Sequence, residues 1–547
     1  MRHPFTIPNL LVLPVAALAL FSASCSSREN AVTTGDRTQT LHFANLVEPT
    51  DLDPQIITSL QDFNIVIALM EGLTQYDPQT NLPQPAVAAT WESSDDARQW
   101  TFHLRPEAWW SNGDPVTAQD FVYAYQRILS PAFASEYAYM LFSLDGAEEF
   151  LSGHLKDFAQ VGVKALDDHT LRLNLAYPMP FLPSVVAHAS WYPVHRATIE
   201  KFGRMDQRGT LWTRPANYVG NGPFVLKEWA PNQVIVVDKS PSYWDAKNVK
   251  LNTIRFYPIE SAATEEAAFR SGQIHITTST PIDKISTYQN DPSLRPFLHQ
   301  DVQLATYLYR FNTTKPPLND VRVRRALAMS IERQRLVELV TKGGQVPAYT
   351  LTPPDTAGYH APAVLREDLD EARRLLAEAG YPGGAGFPKL DILFNTNDGH
   401  RRIAEAIQQM WKQNLGVDIG LYNQEAKVQS DSMREGNYTI ARYAWIGDYL
   451  DPSTFLELMT SDSGNNQTGW SNSAYDRLVK AAQTTTDQTK RFDLYRRAEA
   501  ILMEEAPIAP IYFYVLSTLR QTSVQGWYGN LLDIHPYNRV WLEPDEK

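Results

Sequence analysis

The chain has 547 residues, 43% of them apolar and 20% charged, with a formal net charge of −13 at pH 7. These are globular values, and the length exceeds what one hydrophobic core supports, so two or three domains are expected. The negative charge repels phosphate backbones and argues against nucleic acid as a partner. Thirty-six prolines imply many defined turns and few very long helices.

The first element is a leader. Arg2 precedes an apolar run from Leu10 to Phe21, broken by Pro14, and then Ser22-Ala23-Ser24-Cys25-Ser26-Ser27. The run is too short for a stable membrane span of about 20 residues. Cys25 is the only cysteine of the chain. Small residues followed by a lone cysteine resemble a bacterial lipoprotein leader (residues 1–25), in which the cysteine is lipidated and becomes the first mature residue. Ser22 departs from that pattern, which usually has Leu there. An ordinary secretory leader with an incidental cysteine is the alternative. The mature chain has no cysteine to pair, so its stability must come from core packing. Residues 26–40 are polar, lack periodicity and read as a flexible tether.

Order is expected from Leu41-His42-Phe43-Ala44, a strand. Trp100-Thr101-Phe102-His103-Leu104 and Leu171-Arg172-Leu173-Asn174-Leu175 alternate as half-buried strands, and Gln233–Val237 reads as a buried one. Thr117-Ala118-Gln119-Asp120 starts a capped helix that carries Phe121, Tyr125 and Ile128 at helical spacing. Asp368–Ala379 carries an apolar stripe that Gly380 and Pro382 end. Lys389–Phe394, the helix Arg401–Leu415 and the strand begun by Val417, Ile419 and Leu421 make a strand–helix–strand unit. That order argues for α/β layers in the C-terminal half.

The residue patterns of catalysis are missing. The chain has no Gly-x-Ser-x-Gly elbow, His-Glu-x-x-His pair, phosphate loop or Gly-x-Gly-x-x-Gly turn. The acid pairs Asp95-Asp96, Glu148-Glu149 and Asp167-Asp168 read as solvated faces. An enzyme is not expected, and no cofactor or metal is called for.

The block Trp91–Arg105 followed by Trp110–Val122 closely resembles the signature region of oligopeptide-binding proteins of peptide ABC importers. The similarity continues in Lys315–Arg322, Leu375–Tyr381 and Trp445-Ile446-Gly447-Asp448-Tyr449, in order along nearly the whole mature chain. The resemblance implies an α/β, two-lobed periplasmic-binding-protein fold of type II with a third, inserted domain. Domain I is then discontinuous (41–70, 198–304 and 517–547), domain II is inserted at 71–197, and domain III, at 305–516, forms the opposing lobe. It implies closure by hinge motion over an extended peptide. The implied partners are oligopeptides with a free N-terminus, the permease subunits of an ABC importer, and a membrane held through the lipid. The implied location is the periplasm or cell envelope. A specialised receptor for cell-wall peptides or a non-peptide ligand, or a sensor or chaperone of the same fold, is the alternative.

A receptor for peptides of any sequence must hold what all peptides share, the backbone and the charged termini. A buried ammonium needs a buried carboxylate. Asp448 resembles the family carboxylate that receives the α-amine, and it follows the apolar-aromatic strand Tyr443-Ala444-Trp445-Ile446. Arg442 and His400 match residues that meet C-terminal carboxylates, a task that suits the paired donors of arginine. Tyr137 matches a ligand-contacting tyrosine, and Thr58, Ser59 and Leu60 match a loop that pairs with ligand backbone. Tyr443 and Trp445 complete the expected peptide-binding set. The side-chain pockets depart from the family. Ala426 replaces a tryptophan, Met433 an arginine, Thr341 a lysine and Thr58 a glutamate. Ala305 and Ile446 stand where some members have a cysteine bridge.

Overall fold

The computed structural model describes residues 29–544. The leader and Cys25 lie outside the described residues. Two large cores divide the molecule into lobes. One unites residues between Leu41 and Phe256 with the C-terminal Val524, Trp527, Tyr537, Val540 and Leu542. The other runs from Leu304 to Tyr512.

The first lobe holds two four-stranded sheets. In one, Thr40–Ala44 pairs in parallel with Thr253–Tyr257, so the chain returns after some 200 residues to complete the sheet it began. Val234–Lys239 and Phe224–Ala230 extend it antiparallel. The other sheet is antiparallel, in the order Ala88–Ser93, Gln99–Leu104, Thr170–Asn174, Val163–Asp167. Its alternation buries Trp100, Phe102, Leu104, Leu171 and Leu173, the stripes expected from the sequence. The helix Ala118–Ile128 opens with a capping box between Thr117 and Asp120 and buries Phe121, Tyr125 and Ile128. A buried Arg127–Asp53 pair (3.0 and 2.6 Å) ties this helix to the N-terminal segment. The acid pairs at 95–96, 148–149 and 167–168 are exposed.

The second lobe is built on a six-stranded sheet. Leu390–Asn395 and Ile419–Gln424 pair in parallel across the helix Asp398–Leu415, the strand–helix–strand unit read from the sequence. Ile440–Ile446 lies beside Leu390–Asn395 and runs antiparallel to Leu298–Phe311. Leu298–Phe311 and Ile508–Leu519 are the long strands that cross between lobes. Leu298 and Leu519 belong to a small junction core, while Leu304 and Tyr512 belong to the second lobe's core. Their ladder is interrupted between Val302 and Thr306. Ala305 and Ile446 are direct cross-strand partners. Among the described residues, no helix is long and apolar enough to cross a membrane.

The tether expected over 26–40 is corrected for its described part. Residues Ala31–Thr38 form a helix capped by the Asn30 side chain. Val32 is buried and its N–H donates to the Gly272 carbonyl (2.9 Å). Asp36 pairs with His275 at 3.2 Å, and Gln39 donates to the Leu542 carbonyl. A Cβ at Gly35 would lie 2.4 Å from the Thr40 carbonyl oxygen, so the helix packs closely on the body. One buried Val and polar side chains do this work, which is why no apolar period announced it.

Candidate ligand-binding site

The strand Ile440–Ile446 carries most of the expected set, and its alternation sorts the residues. Arg442, Ala444 and Ile446 share one face. Arg442 lies over the Tyr307 ring (4.7 Å) and donates to Tyr514 Oη (2.9 Å) and Asn395 Oδ1 (3.2 Å). Its Nε has no partner among the described residues. His400, at the start of the helix Asp398–Leu415, joins this cluster through Tyr307 Oη (3.4 Å). Burial, with Arg442 alongside, pushes its imidazole down to about 4. It is therefore neutral at pH 7, with one ring N–H to donate.

Tyr443 and Trp445 point to the other face. Tyr443 is covered by the buried Arg310 guanidinium, 3.5 Å from its ring, and packs on the small core of Leu393, Met433, Tyr438 and Ala441. The structure thus sets Tyr443 apart from Arg442 and His400. Trp445, near the strand end, lines a cavity together with Asp448.

Asp448 sits on the turn after this strand. Gly447 N–H donates to the Leu304 carbonyl (2.8 Å), beside the interruption in the crossing strands. A Cβ at Gly447 would lie 2.6 Å from Leu304 Cδ2, so glycine permits this approach. Asp448 N–H donates to Thr454 Oγ1 (3.2 Å). Beyond it, Asp451 is buried and held by Arg491 through two bonds (2.9 and 2.6 Å). Burial raises the Asp448 carboxyl from 3.8 to about 6, partly offset by the Tyr139 hydroxyl facing it. Among the described residues no cation enters that balance.

The cavity holds about 1100 Å³ and is walled by both lobes. Tyr139, Met140, Ser143, Tyr177, Met179 and Val185 come from the first. The second contributes the segments around Asp448, Glu457 and Asp476. Phe181 stacks on Tyr449 where the walls meet (5.4 Å, 12°). Tyr137 lies one ring behind the cavity, stacked on Tyr139 (5.8 Å) and edge-on to Phe63 (5.9 Å). Phe63 belongs to the helix Leu60–Leu69, which Ser59 caps and which leaves Leu60 exposed. Thr58, Ser59 and Leu60 therefore stand at the end of an aromatic path to Asp448, outside the cavity itself.

Sequence reasoning missed Tyr139, Tyr177 and Glu457. Tyr139 carries no local signal beyond its place two residues after Tyr137. Glu457 had one, an acid set alone in the apolar run Phe455-Leu456-Glu457-Leu458-Met459.

Two lobes joined by two crossing strands, with a half-buried acid between them, form a receptor for a captured ligand. Residues 83–467 match the family model described as bacterial extracellular solute-binding proteins, family 5 middle. The chain belongs to this family of solute-binding proteins. It is 38% identical over 524 residues to the periplasmic oligopeptide-binding protein OppA of Escherichia coli (strain K12), covering 94% of each chain. Among solved structures it is similar to the unliganded open form of the murein tripeptide binding protein MppA (TM-score 0.83, 37% identity, 92% of this chain and 97% of that one). It is also similar to Haemophilus influenzae OppA in complex with RPPGFSPFR (TM-score 0.72, 34% identity, 93% and 99%).

Proposed function

We propose that this protein captures oligopeptides with a free N-terminus, in extended form between its lobes, and delivers them to the membrane subunits of an ABC importer. The observation that carries the reading is Asp448, a half-buried carboxylate on the cavity wall with no cation beside it among the described residues. An incoming ammonium supplies that missing charge. Arg442, on the strand six residues before Asp448, and His400, on the neighbouring helix and joined to it through Tyr307, would meet the peptide's carboxylate. Six residues of strand span at most about 20 Å. With the reach of the Arg442 side chain, an extended peptide of roughly three to five residues bridges the two anchors. The crossing strands interrupted at Val302–Thr306 are the hinge in this reading. The protein performs no chemistry, and ATP is used by its partners.

Calorimetry with a tripeptide and its N-acetylated form tests the anchor. Acetylation should weaken binding by roughly 2–5 kcal/mol, because it leaves a buried charge unpaired. Equal affinities would remove Asp448 from the site. Mass spectrometry of ligands that copurify with the protein identifies the physiological class. The similarity to the murein tripeptide binding protein MppA favours cell-wall peptides as a second reading. After hydrolysis, the same spectra would show the diamino acid of such peptides by its mass.

The lipid anchor at Cys25 is part of the proposal. It would keep the exported receptor at the membrane surface. The mass of the mature N-terminal fragment decides it: a diacylated or triacylated Cys25 supports the anchor, and an unmodified terminus refutes it.

A further inference from the structure

The cavity does not end at Asp448. Its lining also includes Ser143, Tyr177 and Glu457, the last in the short helical turn Glu457–Met459. Burial pushes the Glu457 carboxyl up to about 7, with Gln483 as its hydrogen-bond partner. Burial and the Glu457 charge together push the Tyr177 phenol up to about 12, and both side chains line the cavity. Ser143 is 2% exposed, and its Oγ has no partner among the described residues. It lines the same cavity. Asp462 and Asp476 add two more acids to the lining, where Lys480 is the only basic residue, and Lys480 is exposed. Arg491, the other cation near Glu457, is committed to Asp451. Between the acids, Met140, Met179 and Val185 give the cavity apolar walls.

We propose that the part of the cavity formed by Ser143, Tyr177 and Glu457 is a subsite for a basic side chain on the first residue of the peptide. This rests on the reading that Asp448 receives the α-amine. The α-amine and the first side chain leave the same Cα, so a ligand anchored at Asp448 has that side chain nearest the anchor, in the cavity that Ser143, Tyr177 and Glu457 also line. A lysine, ornithine or arginine fits its chemistry at each point. The methylene stem lies along Met140, Met179 and Val185. The charged head meets the Glu457 carboxylate and the face of the half-exposed Tyr177 ring. Its remaining donor has the unpaired Ser143 Oγ to bond. The subsite thus selects peptides that begin with a basic residue, a preference distinct from the sequence-blind hold on backbone and termini.

Calorimetry on the intact protein, with Lys-Ala-Ala, norleucine-Ala-Ala and Ala-Lys-Ala, tests it. Norleucine keeps the stem and lacks the charge. Lys-Ala-Ala should bind roughly tenfold or more tighter than norleucine-Ala-Ala, the scale of one charged hydrogen bond. The advantage should be confined to the first position and should shrink severalfold in Glu457→Gln. Equal binding of Lys-Ala-Ala and norleucine-Ala-Ala overturns the subsite and leaves peptide capture intact. Equal gain from Ala-Lys-Ala overturns it too, because the acidic protein would then attract any cation. Failure of all three peptides to bind overturns peptide capture and the subsite with it. The comparison among peptides needs no variant, so misfolding of Glu457→Gln would not rescue the idea.

Discussion

Replacing Asp448 with Asn separates what the carboxylate costs the empty receptor from what it gives the loaded one. The carboxyl titrates near 6 in the folded protein against 3.8 ordinarily. Its folded value is raised, so the native state binds the proton more tightly than the unfolded chain. Stability from this group is therefore complete below about pH 4 and is lost as pH rises through 6. The displacement corresponds to at most about 3 kcal/mol held against the fold at neutral pH. Asp448→Asn removes that titration. Scanning calorimetry without ligand should show a higher melting temperature than wild type at pH 7 and a difference that vanishes near pH 4. Peptide binding should fall by roughly 2–5 kcal/mol in the same variant. In the wild type, the ammonium needs the ionised acid, so affinity should drop about tenfold between pH 7 and pH 5 as most of the carboxyl becomes protonated. A variant no more stable than wild type at pH 7, with peptide affinity retained, would refute the reasoning at both ends.

Two further outcomes follow from the frame around Asp448. The double substitution A305C/I446C should close a disulfide, because the two positions face each other across antiparallel strands. Such pairs lie about 4.5–5.5 Å apart at Cα, within disulfide range. Free-thiol titration and a melting temperature that falls on adding reductant would verify it, and persistent free thiols in air would contradict the register. Arg491→Met should strand the buried Asp451 charge, at a cost of about 3–5 kcal/mol. Because Asp451 anchors the turn that presents Asp448, peptide affinity should fall as well, and adding Asp451→Leu should recover most of the stability. Wild-type stability in Arg491→Met, measured by denaturant unfolding, would show the pair to be dispensable.

The elements legible in the sequence were those whose signal is local. Period-two alternation marked the strands around Phe102 and Leu173, and a capping box marked the helix after Thr117. The stop at Gly416 marked the end of a helix because only a residue free to adopt positive φ closes it there (φ 71). The motif around Trp445 and Asp448 pointed to the family. The helix Ala31–Thr38 was hidden because it is held by partners far along the chain, at Gly272, His275 and Leu542. Alternation alone puts Tyr443 and Arg442 on opposite faces, but only the register shows which neighbours each face meets.

The amino-acid sequence by itself determined an α/β chain of the solute-binding family, with a lone carboxylate at 448 after an apolar-aromatic strand, since strand period, helix caps and family motifs are properties of neighbours. The tertiary structure alone decided that Tyr139 and Ser143 from one lobe, and Asp448 and Glu457 from the other, line one cavity. Those residues lie some 300 positions apart. Only two strands crossing between separately packed cores bring them together, and only that enclosure takes water from the carboxylates and raises their hold on a proton.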